Sequence, residues 1–184
     1  KLAGREEYEG FDPSKSTAAA RGRNFAQVSN LPVVLIEGDR TADNAKQRAF
    51  DWDELKSLYN GRASRAVGIK SNNNETYEPP FRGSIVIAQN ADTDGSKAFL
   101  ERIIHIYTDK RGQSMETRYA AERLEQIPVS QVSGFTLLAT MREKDIMTLF
   151  SSAYAKARNE LESNSSIRHI RVAKNHAQLA GVLE

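Results

Sequence analysis

The apolar run LPVVLI, residues 31–36, leads directly into Glu37-Gly38-Asp39. A short, wholly apolar run bounded by turn residues is typical of a strand in a parallel sheet that is covered on both faces. Residues 83–89, GSIVIAQ, form a second run of this kind, which ends on Asn90. The two runs therefore predict parallel strands with polar residues at their carboxyl ends, where ligands bind in open α/β sheets.

The composition fits one domain, or one domain with a small appendage, in a chain of 184 residues. The 26 basic and 24 acidic residues leave a net charge of only +2, so any nucleic-acid signal must be local. Cysteine is absent, which excludes disulfides and thiolate metal ligands. No apolar run approaches the roughly 18 residues of a membrane span and no signal peptide is recognisable. The sequence thus predicts a cytoplasmic protein with no membrane partner.

Periodicity divides the chain into an α/β region, residues 1–110, and an all-helical region, residues 111–184. Besides the two apolar strands, the α/β region predicts helices near 17–29 and 50–58, a hairpin between 62 and 80, and a third strand at 102–107. Apolar residues at helical spacing after residue 114 predict amphipathic helices that pack as a bundle. This order of elements indicates a three-layer sheet domain followed by a helical lid or subdomain.

The polar residues at the strand ends are the first candidates for chemistry. An acid directly after a buried strand, here Glu37 or Asp39, can hold Mg²⁺ or polarise a water. Asn90 can orient a water or contact a γ-phosphate. Each has an ordinary alternative, because strand-end acids cap turns and asparagine is a common turn former. The predicted proximity of the two strand ends makes the combination more specific than either residue alone.

Basic residues outside the hairpin form a second group of candidates. Arg102, next to Glu101, is either an arginine finger for a nucleotide in a neighbouring subunit or a solvated surface arginine. Three cations at three-residue spacing predict one stripe on the last helix, from about residue 167: Arg168, Arg171 and Lys174. This stripe senses phosphate or binds nucleic acid, or it is an ordinary solvated helix face.

The predicted hairpin carries the clearest nucleic-acid signal. Two strand-like arms surround an Asn-rich turn at residues 71–74. Its basic and aromatic residues suit sequence-independent contact with a nucleic-acid backbone, with a solvated loop as the alternative. These candidates are Arg62, Arg65, Lys70, Tyr77 and Arg82.

Residues 10–16, GFDPSKS, are partly similar to a phosphate-binding loop, G-x-x-x-x-G-K-[ST]. The second glycine is missing, Pro13 stands where backbone amides should converge, and no apolar strand precedes the run. We therefore expect no phosphate binding at this segment.

Three segments occur in one order along the chain: residues 10–16, residues 31–37, and residues 74–90, NETYEPPFRGSIVIAQN. Together they resemble the helicase-type P-loop ATPase domain of bacterial mobile-element primase–helicase proteins, which occur on integrative elements and prophages and carry a zinc finger and a toprim-type primase module upstream. The resemblance covers most of the chain. It implies a P-loop NTPase-like (AAA+/helicase type) partial parallel sheet followed by a C-terminal helical subdomain, so that residues 1–110 are an ATPase core and 111–184 its lid.

The resemblance also implies roles for the strand-end residues. Val33–Glu37 match a Walker B strand with Glu37 as its acid, Asn90 matches sensor 1, and Arg102 is the candidate finger. The implied cofactors are ATP and Mg²⁺, with Glu37 and Asp39 as metal ligands. The Walker B pattern usually ends in Asp-Glu, so Glu37-Gly38-Asp39 departs from it and leaves the roles of base and metal ligand open.

The family's phosphate loop would lie upstream of Lys1, so the isolated chain is expected to be inactive as an ATPase. Arg168 and Arg171 are further candidate nucleotide contacts, and the hairpin is the candidate DNA-contacting loop. The resemblance implies single-stranded DNA and further copies of the chain, in a ring, as partners. The predicted function is part of an ATP-dependent DNA helicase or translocase associated with a primase. The alternative is a non-catalytic nucleic-acid-binding or assembly module with a degenerate ATPase fold.

Overall fold

The computed structural model describes residues 10–28, 31–36, 50–70, 74–90, 93 and 95–183. The chain forms two compact units. We call the one within residues 9–102 the α/β unit and the one that contains residues 103–184 the helical unit. The units divide after Arg102, whereas the sequence predicted a division after residue 110. The protein is thus a mixed α/β structure with a helical C-terminal part.

A small parallel sheet lies at the centre of the α/β unit. Strand β1, Val33–Ile36, pairs in parallel with β4, Ile85–Ala88, from Val33↔Ile85 to Ile36↔Ala88. Phe11 forms an isolated parallel bridge to Leu35 on the other edge of β1, where its N–H donates to the carbonyl of Val34 at 3.1 Å. The prediction that both apolar runs are parallel strands is therefore confirmed.

Only one face of this sheet is buried. Val33 and Leu35 are fully buried, whereas Ile36 is 40% and Val86 50% exposed. Successive side chains of a strand point to opposite faces, so Ile36 and Val86 lie on the face opposite to Leu35. The predicted cover on both faces, and with it a three-layer domain, is wrong for the part of the chain that the structure describes.

The core of the α/β unit is largely aromatic. The rings of Phe25 and Phe81 meet edge to face with centroids 6.0 Å apart, and Trp52 meets Phe50 in the same way at 4.9 Å. Edge-to-face contacts add to the free energy of burial, since the ring edge and face carry opposite partial charge. Among the described residues, the buried apolar set contains five aromatic and four aliphatic side chains: Phe25, Val33, Leu35, Phe50, Trp52, Leu55, Leu58, Phe81 and Phe99.

Two helices of the α/β unit are joined by the buried Arg21. Helix α1, Ala18–Val28, carries Arg21, and a 3-10 helix, Trp52–Asn60, carries Glu54. The guanidinium donates to both carboxylate oxygens of Glu54, at 3.1 and 2.6 Å, and to the carbonyl of Pro13 at 3.0 Å. It also lies 4.9 Å from the centre of the Phe50 ring. An arginine that is both ion-paired and hydrogen-bonded is what a buried charge requires.

Turn residues end the elements where the sequence predicted. Gly61 ends the 3-10 helix with a φ of +73°, a left-handed conformation that glycine adopts without strain. Strands β2, Val67–Gly68, and β3, Thr76–Tyr77, pair antiparallel and confirm the hairpin. Asn74, before β3, has a φ of +53°, which asparagine tolerates better than most residues. The rest of the Asn-rich turn, residues 71–73, lies outside the described residues.

Helix α2, Lys97–Leu100, is capped by Ser96, which also binds the 3-10 helix. The Ser96 hydroxyl donates to the Asp53 carboxylate at 2.7 Å, and this bond, with a further contribution from Lys56, lowers the pKa of Asp53. The third strand predicted at 102–107 is wrong: the chain leaves α2 in a turn, and Ile106 and Tyr107 are 76% and 80% exposed. An apolar run becomes a strand only beside a strand to which it can hydrogen-bond.

The helical unit contains five α-helices among its described residues: α3, Met115–Gln126; α4, Val129–Val132; α5, Gly134–Met141; α6, Glu143–Ser163; and α7, Ile170–Leu183. The predicted helical character is confirmed, but the predicted bundle is wrong as far as these helices are described. Helices α3 to α6 contain no buried residue, and the extensive helix contact is that of α6 with α7.

Small residues bring α6 and α7 together. Ala173, Ala177 and Gly181 are buried on α7 at four-residue spacing, which places them on one helix face. A Cβ added at Gly181 would lie 3.2 Å from the backbone nitrogen of Tyr154 on α6. Within the described ranges, no helix is long and apolar enough to cross a membrane.

Candidate strand-end site and nucleic-acid interface

The carboxyl ends of β1 and β4 lie side by side, because Ile36 pairs with Ala88 in the parallel register. Asn90 follows β4 after one residue and is exposed. Glu37 and Asp39 follow β1 in the sequence and lie outside the described residues, so their proximity to Asn90 stays a prediction. In the ranges that the structure describes, no group of three or more acidic or histidine side chains is placed to hold a metal ion.

Arg102 is held within its own unit. Its guanidinium donates to the carbonyl of Ala98 and lies over the Tyr59 ring, 5.6 Å from the ring centre. Its Nε is buried without a hydrogen-bond partner. The residue follows α2 rather than preceding a strand. To act as a finger on a neighbouring subunit, the side chain would have to leave the Ala98 carbonyl and the Tyr59 ring.

The turn at residues 10–16 holds a carboxylate where a phosphate loop would hold a phosphate. Asp12 accepts hydrogen bonds from the Ser14 N–H at 2.8 Å and the Ser14 hydroxyl at 2.6 Å, and it pairs with Lys15 at 3.4 Å. A phosphate approaching these donors would meet the charge of Asp12. The geometry agrees with the expectation that this segment binds no phosphate.

The hairpin presents its cations unequally. Arg62 makes a bidentate pair with Glu78, with three N···O distances of 2.9 to 3.2 Å, so its charge is matched locally. Arg65, Lys70 and Arg82 are exposed and make no ion pair with any described residue. The sequence grouped these residues because they are close along the chain, whereas the pairing of Arg62 depends on the register of the hairpin.

The aromatic of the hairpin is accessible. Tyr77 is 53% exposed and lies directly across from Val67, which is 50% exposed. Cross-strand neighbours share one face of a sheet, so an apolar patch beside the phenol ring is open to solvent on this ribbon.

A groove of about 200 Å³ lies between α1 and the base of the hairpin, residues 63–65 and 79–80. The sequence reasoning missed this groove. Three small residues of α1 line one side, Ala19, Gly22 and Ala26. Across from them lie Ser64, Arg65 and Pro79. The spacing of the small residues along α1 was a readable signal, but only the folded hairpin base supplies the second wall.

The basic stripe predicted for the last helix is not one helix face. Helix α7 begins at Ile170, so Arg168 precedes it and only Arg171 and Lys174 lie on it. Three-residue spacing defines a face only inside a helix. Arg168 and Arg171 are exposed, and both belong to the helical unit.

Comparisons of the chain with protein-family models, with curated proteins and with solved structures find no match.

Proposed function

We propose that this chain is part of an ATP-dependent DNA helicase or translocase associated with the primase of a mobile element. The observation that carries the proposal is the parallel pair of β1 and β4, whose carboxyl ends coincide in register. Residues that follow such strands are where α/β enzymes bind ligands. The sequence supplies an acid after β1 and an amide after β4, the residue types that orient a metal and a water in nucleotide hydrolysis.

The proposed roles follow this pairing. Glu37 and Asp39 would hold Mg²⁺, which supplies charge neutralisation at the phosphates, and Asn90 would orient the attacking water. Nucleotide hydrolysis also needs a loop that cradles the phosphates. Residues 10–16 do not fit that task, because Asp12 occupies their donors. The isolated chain is therefore expected to hydrolyse ATP poorly, and activity is expected of a full-length helicase.

The hairpin supports the DNA-binding part of the proposal. Exposed cations, Arg65, Lys70 and Arg82, and the exposed ring of Tyr77 occur in this region. Proteins that bind single strands without sequence preference usually combine cations that contact the phosphates with aromatic rings on which the bases stack.

The catalytic part is tested by Glu37→Gln in the full-length helicase. Turnover of ATP should be abolished while nucleotide binding persists, because the amide keeps the size of the side chain but removes the negative charge. Glu116→Gln, at an exposed site of α3, is the matched control and should leave turnover unchanged. Unchanged turnover of Glu37→Gln would remove Glu37 from the proposed site.

The DNA-binding part is tested by Arg65→Ala combined with Lys70→Ala. Affinity for single-stranded DNA should fall, and the slope of log affinity against log salt should flatten by about 1.4, since each lost phosphate contact to a single strand changes it by about 0.7. Lys110→Ala combined with Arg123→Ala removes the same charge from exposed sites of the helical unit and serves as the control. An unaltered slope would mean that Arg65 and Lys70 of the hairpin do not contact the phosphates.

A non-catalytic nucleic-acid-binding module is the second candidate function. It is favoured by the exposed hairpin cations together with the lack of a phosphate cradle among the described residues. An ATPase assay on the full-length protein, with and without single-stranded DNA, separates the two candidates: DNA binding without DNA-stimulated turnover supports the module.

A further inference from the structure

One wall of the groove between α1 and the hairpin base consists of residues with very small side chains or none. Its α1 wall consists of Ala19, Gly22 and Ala26, and a Cβ added at Gly22 would lie 3.4 Å from Arg65 Cγ and 3.7 Å from Ser64 Oγ. These are ordinary van der Waals distances, so Arg65 and Ser64 of the hairpin base lie opposite Gly22 across the groove. Larger residues on this wall would fill the space.

The inside of the groove is mainly apolar, with one polar group that lacks a partner. Phe25 and Phe81, both buried, are among its lining residues, as is the half-buried Pro79. Ser64 Oγ also belongs to the lining and is buried with no hydrogen-bond partner. A buried hydroxyl without a partner destabilises the free protein, and a ligand that bonds to it relieves that loss.

Positive charge lies beside the groove. Arg23 of α1 and Arg65 of the hairpin base both line it, both are exposed, and neither makes an ion pair with a described residue. The charge favours a ligand that combines an anionic part with a planar, mainly apolar part. At about 200 Å³, the groove is smaller than the roughly 300–1,000 Å³ of sites that enclose a whole drug-sized ligand, so it suits one ring system of a longer molecule.

We infer that the groove holds one base of single-stranded DNA, with the flanking phosphates on Arg23 and Arg65. This inference rests on the proposed DNA-binding function and gives it a site for a base as well as for the backbone. The base contacts the apolar walls and bonds to Ser64 Oγ. DNA is chosen over RNA because the inference rests on the proposed DNA-binding function.

The experiment compares two fluorescent probes of equal charge on the 184-residue chain. One is a short oligothymidylate, and the other is an abasic strand with the same number of phosphates. The wild-type chain should bind oligothymidylate about tenfold more tightly, which is the size of effect expected for one bound base. Ala26→Leu fills the groove and should reduce oligothymidylate binding to the abasic level while leaving abasic binding unchanged.

Two further variants keep the test decisive. Ala18→Leu makes the same change at an exposed α1 position outside the groove and should keep the preference for bases. Ser64→Ala should raise the unfolding midpoint of the free protein, since it removes an unpartnered hydroxyl, and yet weaken oligothymidylate binding. A purely structural serine would not separate these two effects.

Each other outcome overturns a defined part of the inference. Equal affinity of the wild-type chain for the two probes would mean that the groove binds no base. The proposal that the hairpin binds the DNA backbone would be unaffected. No binding of either probe overturns the groove and the proposed DNA contact together. An oligouridylate that binds as tightly as oligothymidylate overturns the assignment to DNA.

Discussion

The two units of this protein reach their helical and strand structure by different means. In its described ranges, the α/β unit buries nine large apolar side chains, including Leu35 at 0% and Trp52 at 4% exposure. In the helical unit the buried apolar residues among those described are Ala173 and Ala177, while Leu138 is 63% and Leu149 71% exposed. One unit therefore has a core, and the other has helices with apolar faces that its own described residues do not cover.

Local interactions account for the helices of the second unit. Ser114 and Thr117 form a reciprocal capping box at the start of α3, and Arg158 pairs with Glu162 at 2.7 Å within α6. Caps and pairs of this spacing stabilise a helix with no tertiary contact at all. Helices that depend on them remain marginal, because most helical stability in proteins comes from packing an apolar face.

The largest expected difference between the units comes from one substitution made in each. Leu35→Ala should lower the free energy of unfolding of the α/β unit by about 2–5 kcal/mol, since it leaves a cavity in a buried site. Urea unfolding followed by the fluorescence of Trp52, the only tryptophan, measures this unit. Leu138→Ala should change stability by less than about 0.5 kcal/mol, as exposed substitutions do. Equal losses would mean that the apolar face of the helical unit is buried in solution.

A charged pair from each unit gives the next largest difference. Arg21→Gln removes one partner of a pair whose side chains are 11% and 25% exposed, and leaves Glu54 and two backbone carbonyls unsatisfied. Removing one partner of a buried ion pair lowers the free energy of unfolding by about 3–5 kcal/mol. For Arg21→Gln we expect a loss near the lower end of that range. Arg158→Gln breaks an arginine–glutamate pair on the surface of α6 and should have little effect. Thermal unfolding of both variants measures the difference. A small loss of stability in Arg21→Gln would mean that Arg21 does not hold the two helices together.

The smallest effect addresses the packing of α7 against α6 at Gly181. Gly181→Val places side-chain atoms against the Tyr154 backbone and the Phe150 ring, which lie 3.2 and 3.3 Å from an added Cβ. The variant should lose about 1–3 kcal/mol, as over-packed sites do, and faster hydrogen exchange in α6 and α7 would report it. Gly134→Val, at a glycine with nothing within 4 Å of an added Cβ, is the control. Unchanged exchange in Gly181→Val would mean that the two helices do not pack this closely.

Much of the secondary structure could be predicted from local patterns. The apolar runs became β1 and β4, Gly61 ended a helix, and the arms on either side of the Asn-rich segment paired antiparallel, because each pattern acts over a few neighbouring residues. The strand at 102–107 failed because an apolar run needs a partner strand. Among the candidate site residues, local patterns marked Arg62 as a cation but not its pairing with Glu78, since that pairing joins residues sixteen apart in the sequence.

The sequence alone specified most of the strands, turns and helices, and it marked the cations of the hairpin and the polar residues that follow the strands. Tertiary structure decided which faces are buried, that Arg102 lies over Tyr59, that Arg21 clamps two helices, and that a groove opens beside Gly22. The physical reason is the distance along the chain over which each interaction acts. Backbone propensity and capping depend on adjacent residues, whereas burial, ion pairing and cavities depend on side chains that only folding brings together.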